Sequence, residues 1–126
     1  MAKDINKDKF SEGTKLKLEI FAECFREWLP VFIHNPYIKD LFVYDFFAGS
    51  GKDAEGTLGS PLILLNEARG DNRKYCEQVL KNNKKVCFAF NEKEKPKYDT
   101  LVSNVKDFMV TCKENNCKTI NCKYMI

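Results

Sequence analysis

The spacing of apolar residues along this chain changes several times, and the changes predict alternating helices and strands. From Thr14 onwards, apolar residues recur every three or four positions, which is typical of a helix with one apolar face. These residues are Leu18, Phe21, Cys24, Phe25, Trp28 and Leu29. Pro30 is expected to bend or end the helix because proline lacks a backbone N–H. We expect Trp28 and both phenylalanines to pack in the core.

The next segment, residues 41–47, is a nearly continuous apolar and aromatic run. Its weak alternation predicts a central parallel strand that is covered on both faces. A glycine-rich loop follows, and Ser60-Pro61 then favours a helix start, with Ser60 as N-cap and Pro61 in the first turn. Gly70 is expected to end this helix, and Asp71 is placed to cap a second helical piece.

Two further strands complete the predicted order. Residues 86–90 form a short apolar run closed by Asn91-Glu92, a helix starts at Pro96, and residues 119–126 alternate as in a strand. Alternating helices and strands favour a parallel sheet with right-handed crossovers. We therefore expect an α/β fold, a Rossmann-like parallel sheet with flanking helices that is incomplete at about three strands. Residues 1–13 form a polar leader and residues 14–126 one domain.

Composition narrows the class of protein. The 126 residues are 44% hydrophobic and 31% charged, which is typical of one globular domain. The net charge of +3 is mild. The densest lysines, Lys81, Lys84 and Lys85, are more typical of a solvated helix end than of a nucleic-acid surface.

Cysteine usage and the polar start of the chain indicate the compartment. No signal peptide or membrane-length apolar run is recognisable, so we expect a cytoplasmic protein whose six cysteines are thiols. Cys112, Cys117 and Cys122 are five residues apart, which is not the CxxC spacing of a zinc site. His34 beside Asn35-Pro36 is interpreted as a loop histidine, and no metal site is expected.

The strongest candidate for chemistry is the end of the first strand. In a doubly wound sheet, ligands bind beyond the carboxyl ends of the strands. Asp45 lies at the first strand end, and Gly49-Ser50-Gly51 follows, where glycines allow close backbone approach. Glu92 lies at the end of the second strand, where an acid commonly binds a ribose diol.

Two common nucleotide motifs fail at this loop. A phosphate-binding P-loop needs Ser or Thr after Lys52 and a glycine at the position of Phe46, but Asp53 follows Lys52. The dinucleotide motif GxGxxG fails because position 54 is Ala. A short Gly-x-Gly turn after an acidic strand end fits S-adenosylmethionine better than NAD. Three alternatives without a ligand stay open. The glycines could form only a tight turn, Asp45 could be a structural acid, and Glu92 could be an exposed loop acid.

These residues resemble a known family. Asp45-Phe46-Phe47-Ala48-Gly49-Ser50-Gly51 is similar to motif I of class I S-adenosylmethionine-dependent methyltransferases. More narrowly, residues 14–126 resemble the first part of the three-Cys-motif partner family of predicted methyltransferases. Four other segments complete the match: the leading helix with Trp28, the glycine-rich insert, Gly59-Ser60-Pro61-Leu62-Ile63 and Phe90-Asn91-Glu92-Lys93.

The resemblance implies a site and a partner. Asp45, Gly49 and Gly51 would line the methionine end of S-adenosylmethionine, with Phe47, Ala48 and Ser50 in the same loop, and Glu92 would bind the ribose. Asp53 and Ser60 would border the pocket. A radical-SAM-like protein is the partner that the family implies.

The resemblance is also incomplete, because the catalytic segment expected after a fourth strand is not present. We therefore expect the cofactor-binding portion of a methyltransferase, truncated, without its own acceptor site and with no assignable catalytic residues. The unfinished sheet edge could pair with a second copy. Two other functions stay open, a catalytically inactive interaction module and a nucleic-acid-associated accessory protein.

Overall fold

The computed structural model of the chain describes the backbone of residues 9–114 and 122–125 and the side chains of residues 9–112. Four α-helices, three strands and one 3-10 turn follow one another in the described part. In chain order they are α1 (Glu12–Ile33), β1 (Asp40–Asp45), α2 (Ser60–Arg69), the 3-10 turn (Asp71–Arg73), α3 (Lys74–Lys81), β2 (Lys85–Phe90), α4 (Lys95–Glu114) and β3 (Cys122–Met125). Of the third strand predicted at 119–126, residues 119–121 and 126 lie outside the described residues.

The three strands form one parallel sheet in the order β1-β2-β3. Asp40 lies opposite Lys85 and Asp45 lies opposite Phe90, so β1 and β2 are aligned along their full length. The mixed α/β class, the parallel sheet and the flanking helices that the sequence predicts are therefore confirmed. Within the described residues, β1 pairs on one side only, which makes it an edge strand.

One face of the sheet carries the hydrophobic core. Leu41 of β1 and Val86, Phe88 and Phe90 of β2 are buried on this face. They belong to one cluster with residues of all four helices, including Phe25, Leu29 and Ile33 of α1, Leu62, Leu64, Leu65 and Ala68 of α2, Val79 of α3, and Leu101 and Val105 of α4. Burial of this apolar surface is the main stabilising contribution to the fold.

The opposite face of the sheet is open at β1, and the prediction that both faces are covered is wrong. Phe42 and Tyr44, which alternate with the buried positions, are each 56% exposed. The reason lies in the crossovers. Two successive right-handed connections that move in one direction across a sheet place their helices on the same face.

Helix α1 departs from its sequence prediction in two ways. It continues through Pro30 to Ile33, and the N–H of His34 donates to the Pro30 carbonyl. Leu29 and Ile33 on either side of Pro30 are fully buried, so packing outweighs a local cost of about 3 kcal/mol. Of the three aromatic residues expected in the core, Phe25 is buried, whereas Phe21 and Trp28 are more than a third exposed.

The helix starts also differ from the prediction. The N-cap of α2 is Gly59, and Ser60 is the first helical residue, because its hydroxyl bonds to Asp45 instead of capping the helix. Gly70 ends α2 with φ of 74°, as predicted. Asp71 does not cap α3, since the intervening 3-10 turn makes Arg73 the N-cap. Within the described residues, no helix has the length and apolarity needed to cross a membrane.

Candidate ligand-binding site at the ends of β1 and β2

The carboxylate of Asp45 connects the end of β1 to the start of α2. Its Oδ1 accepts a hydrogen bond of 3.2 Å from the backbone N–H of Phe47, and its Oδ2 accepts one from the Ser60 hydroxyl. The negative charge therefore lies beside the N-terminus of α2, where the helix dipole favours an anion. Asp45 as a whole remains half-buried.

The loop after β1 depends on glycine at two positions. Gly49 and Gly51 have φ of 70° and 100°, a region that side chains rarely adopt. The loop then folds back on itself, because the N–H of Gly59 donates to the Gly51 carbonyl over 2.7 Å. A Cβ at Gly59 would lie 3.2 Å from that carbonyl oxygen, so the two backbones approach as closely as glycine permits. The residues from Ala48 to Gly51 are buried as a result.

Glu92 at the end of β2 reaches this same loop. Its Oε1 accepts a hydrogen bond of 3.0 Å from the N–H of Gly49, and its Oε2 accepts one of 2.9 Å from the N–H of Glu94. Backbone bonds continue the contact, since Ala48 N–H donates to the Asn91 carbonyl over 3.0 Å. The structure therefore brings Glu92 to the glycine loop that follows Asp45, although Glu92 lies 43 residues beyond Gly49 in the sequence.

The aromatic residues of the loop lie outside this cluster. Phe47 is 91% exposed, and Phe46 is also exposed with its ring stacked on Tyr44 at 5.9 Å between centroids. Of the predicted site residues, Phe47 therefore contributes its backbone N–H, which bonds to Asp45, while its side chain remains free to contact a ligand.

Asn104 of α4 supports the loop and was not identified from the sequence. It is buried, and its side-chain N–H donates to the Ser50 carbonyl over 2.7 Å. The sequence does contain a sign of this role, because Asn104 is a polar residue on the apolar face of α4, between the buried Leu101 and Val105. Asn104 is thus a positioning residue, because it anchors a backbone carbonyl of the glycine loop to α4.

Asp53 holds the second half of the loop. Its Oδ1 accepts from the N–H groups of Glu55 and Thr57 at 2.9 and 2.8 Å, and its Oδ2 accepts from the N–H of Phe10 at 2.8 Å. Burial by itself would raise the pKa of Asp53. The backbone donors, together with the charge of Lys15, outweigh burial and hold this pKa below its usual value.

The lowered pKa of Asp53 predicts a pH-dependent contribution to stability. The contribution is present above the unfolded carboxyl pKa of about 3.9 and is lost as the pH falls through the lower folded value. The difference in Tm between wild type and Asp53→Asn should therefore be larger at neutral pH than at strongly acidic pH. Asp107→Asn, at an exposed position of α4, serves as the control for the loss of a carboxylate and should show a small difference in Tm at neutral pH. A pH-independent Asp53→Asn difference would contradict the prediction.

His34 and the four cysteines whose side chains are described form no part of the site. His34 is exposed at the end of α1, and its Nε2 lies 3.0 Å from Oε1 of Gln78. Cys24, Cys76, Cys87 and Cys112 form no disulfide bond with one another. Across the part of the chain whose side chains are described, no three His, Cys, Asp or Glu residues are arranged to hold a metal ion.

Comparison with known proteins returned no match to a protein-family model, a curated protein or a solved structure.

Proposed function

We propose that the chain binds S-adenosylmethionine at the ends of β1 and β2, as the cofactor-binding portion of a methyltransferase of the three-Cys-motif partner type. The observation that carries the proposal is the 3.0 Å hydrogen bond between Gly49 N–H and Glu92 Oε1. This bond joins the two elements that a Rossmann-like sheet uses for a nucleoside ligand, the glycine turn after one strand and the acid after the next. Burial of Ser50 and Gly51 supports a preformed loop.

Each proposed role follows from the donors and acceptors available. Each carboxylate oxygen of Glu92 accepts one N–H and keeps a second lone pair, so Glu92 can accept hydroxyl groups of a ribose while still bound to Gly49. Asp45 can attract the ammonium group of the methionine part. Gly49 and Gly51 supply the positive φ angles that the loop needs. The exposed Phe47 ring can contact the nucleoside.

When bound, S-adenosylmethionine supplies an electrophilic methyl group. The described residues bind and orient the cofactor, and no side chain among them is assigned to the methyl acceptor or to proton transfer. The proposal includes a cytoplasmic location, on the strength of the cysteine usage, and a radical-SAM-like partner, on the strength of the family resemblance.

Titration calorimetry with S-adenosylmethionine tests the proposal. We expect saturable binding to wild type and about tenfold weaker binding to Glu92→Gln, since a hydrogen bond to a charged group contributes about 1.5–3 kcal/mol and 1.4 kcal/mol is a factor of ten. Glu94→Gln, an exposed neighbour of Glu92, should bind as wild type does. Asp45→Ala should also lose affinity. Ser60→Ala removes the contact of Asp45 with α2 but keeps the carboxylate, so it shows which of the two losses weakens binding.

Two outcomes would contradict the proposal. One is no measurable heat with folded wild-type protein at millimolar S-adenosylmethionine. The other is unchanged affinity in both Asp45→Ala and Glu92→Gln, with circular dichroism showing that both variants are folded.

A further inference from the structure

A polar cleft of about 570 Å³ lies where the end of α2 and the 3-10 turn meet α4. Its polar lining includes two arginines and three other side chains, namely Arg69, Arg73, Asn66, Asp71 and Thr111. Ser60, which bonds to Asp45, begins α2, and Arg69 ends it, about 14 Å away at a rise of about 1.5 Å per residue. The cleft is therefore separate from the loop proposed to bind the cofactor.

The guanidinium of Arg69 is held in place by neutral groups. Its Nη1 donates to Oγ1 of Thr111 over 3.1 Å, and its Nη2 donates to Oδ1 of Asn66 over 3.2 Å. Its central carbon lies 4.5 Å from the centroid of the Phe108 ring. Among residues 9–112, Arg69 forms no ion pair. The group is thus fixed in position, and these contacts leave its positive charge unbalanced.

Arg73 presents a buried donor without an acceptor. Its Nε is inaccessible to solvent and has no hydrogen-bond partner, and Arg73 forms no ion pair within residues 9–112. A buried donor that bonds to nothing is destabilising, and such groups are rare in folded proteins. An oxyanion in the cleft would supply the acceptor that Nε lacks and would balance the charge of both arginines.

The surroundings of the cleft show that its excess of positive charge is local. Nearby, Arg26 is already paired with Glu67 through two hydrogen bonds of 2.9 and 2.8 Å. Asp71 is the acid that lines the cleft, and it is exposed and forms no ion pair with Arg69 or Arg73. Two guanidinium groups therefore face one carboxylate. This confined charge fits one phosphate group better than the many phosphates of a nucleic acid.

We propose that this cleft binds the phosphate group of a small molecule, either free phosphate or a phosphate monoester. Arg73 donates to the phosphate through Nε, and the fixed guanidinium of Arg69 attracts it. Asn66 keeps its side-chain N–H groups as donors, because its Oδ1 accepts from Arg69. Guanidinium groups match phosphate oxygens in both charge and geometry. The volume of the cleft leaves room for the organic part of a monoester. This interaction does not depend on cofactor binding.

Titration calorimetry with inorganic phosphate and with phenyl phosphate tests the proposal. We expect saturable binding to wild type. Tighter binding of phenyl phosphate would identify a monoester as the ligand, and equal binding would identify free phosphate. Arg73→Gln should bind both about tenfold more weakly, because it removes a charge-assisted hydrogen bond. Lys81→Gln, at an exposed position at the other end of α3, removes the same charge and should bind as wild type does.

A second substitution should change the affinity in the opposite direction. Asp71→Asn removes the carboxylate that opposes an anion in the cleft, and we expect phosphate to bind about threefold more tightly. Damage to the fold would weaken binding, so a gain in affinity reports the charge of the cleft itself. Glu19→Asn removes an exposed acid of α1 outside the cleft, and it should leave the affinity unchanged.

Four results would overturn the proposal. The first is no measurable heat with either probe at millimolar concentration and folded wild-type protein. The second is equal affinity of wild type and Arg73→Gln. The third is loss of phosphate binding in Glu92→Gln, which would assign the phosphate to the loop at the ends of β1 and β2. The fourth is tighter binding of a single-stranded oligonucleotide than of phenyl phosphate, with an affinity that falls steeply with salt, which would assign the cleft to a nucleic acid.

Discussion

Substitution of Phe88 by alanine is expected to lower the free energy of unfolding by about 3–5 kcal/mol. Phe88 is fully buried in the centre of β2, and its ring lies 6.1 Å from that of Phe90, centroid to centroid. Removing the ring loses the transfer free energy of a large side chain and leaves a cavity that the surrounding helices fill only in part. Since small domains have total stabilities of about 5–15 kcal/mol, this variant should be close to unfolding.

The matched control lies on the other face of the neighbouring strand. Phe42→Ala removes the same atoms from a side chain that is more than half exposed, and we expect a loss below about 1 kcal/mol. Urea unfolding followed by circular dichroism measures both changes. Similar losses for the two variants would show that the open face is covered in solution and would contradict the described packing.

Asn104→Asp should lower the free energy of unfolding by about 3 kcal/mol, because it removes a donor and places a buried carboxylate oxygen against the Ser50 carbonyl. Asn104 sits on the buried side of α4, so water does not readily replace the lost hydrogen bond. The change also releases the Ser50 carbonyl from α4. If the glycine loop binds S-adenosylmethionine, the affinity should fall together with the stability.

Ser103→Asp provides the control for Asn104→Asp. Ser103 is exposed on the same helix, one residue away, so an acid there changes the charge of α4 without touching the loop. We expect a stability change within about 0.5 kcal/mol. Urea unfolding of both variants tests the difference, and equal losses would mean that the negative charge on α4, rather than the contact with Ser50, causes the effect.

The elements were predictable because they depend on short-range patterns. The three-to-four spacing before Trp28, the apolar run ending at Asp45 and the break at Gly70 each report local backbone preferences. Errors occurred where a tertiary contact outweighed local preference. Pro30 does not end α1, because the residues on either side of it are buried in the core.

The individual residues of the candidate site could be predicted from the sequence, but the hydrogen bonds that join them could not. Asp45, Gly49 and Glu92 were identified from their positions after strands, and the parallel pairing of β1 with β2 brings them to one edge. The hydrogen bond of Asp45 to Ser60 and that of Asn104 to Ser50 join residues from different elements. Asp53 was expected at the border of the pocket, and only the structure shows that its carboxylate accepts hydrogen bonds from Phe10 and from the loop.

Patterns between near neighbours in the sequence account for the alternation of helices and strands, the glycine turn after β1 and the acids at two strand ends. These features follow from spacing and backbone preference, which act between near neighbours in the chain. Contacts between distant elements place the helices on one face of the sheet, leave Phe42 and Tyr44 exposed, and anchor the loop through Asn104. Burial and hydrogen bonding between distant residues depend on which side of the sheet each crossover passes.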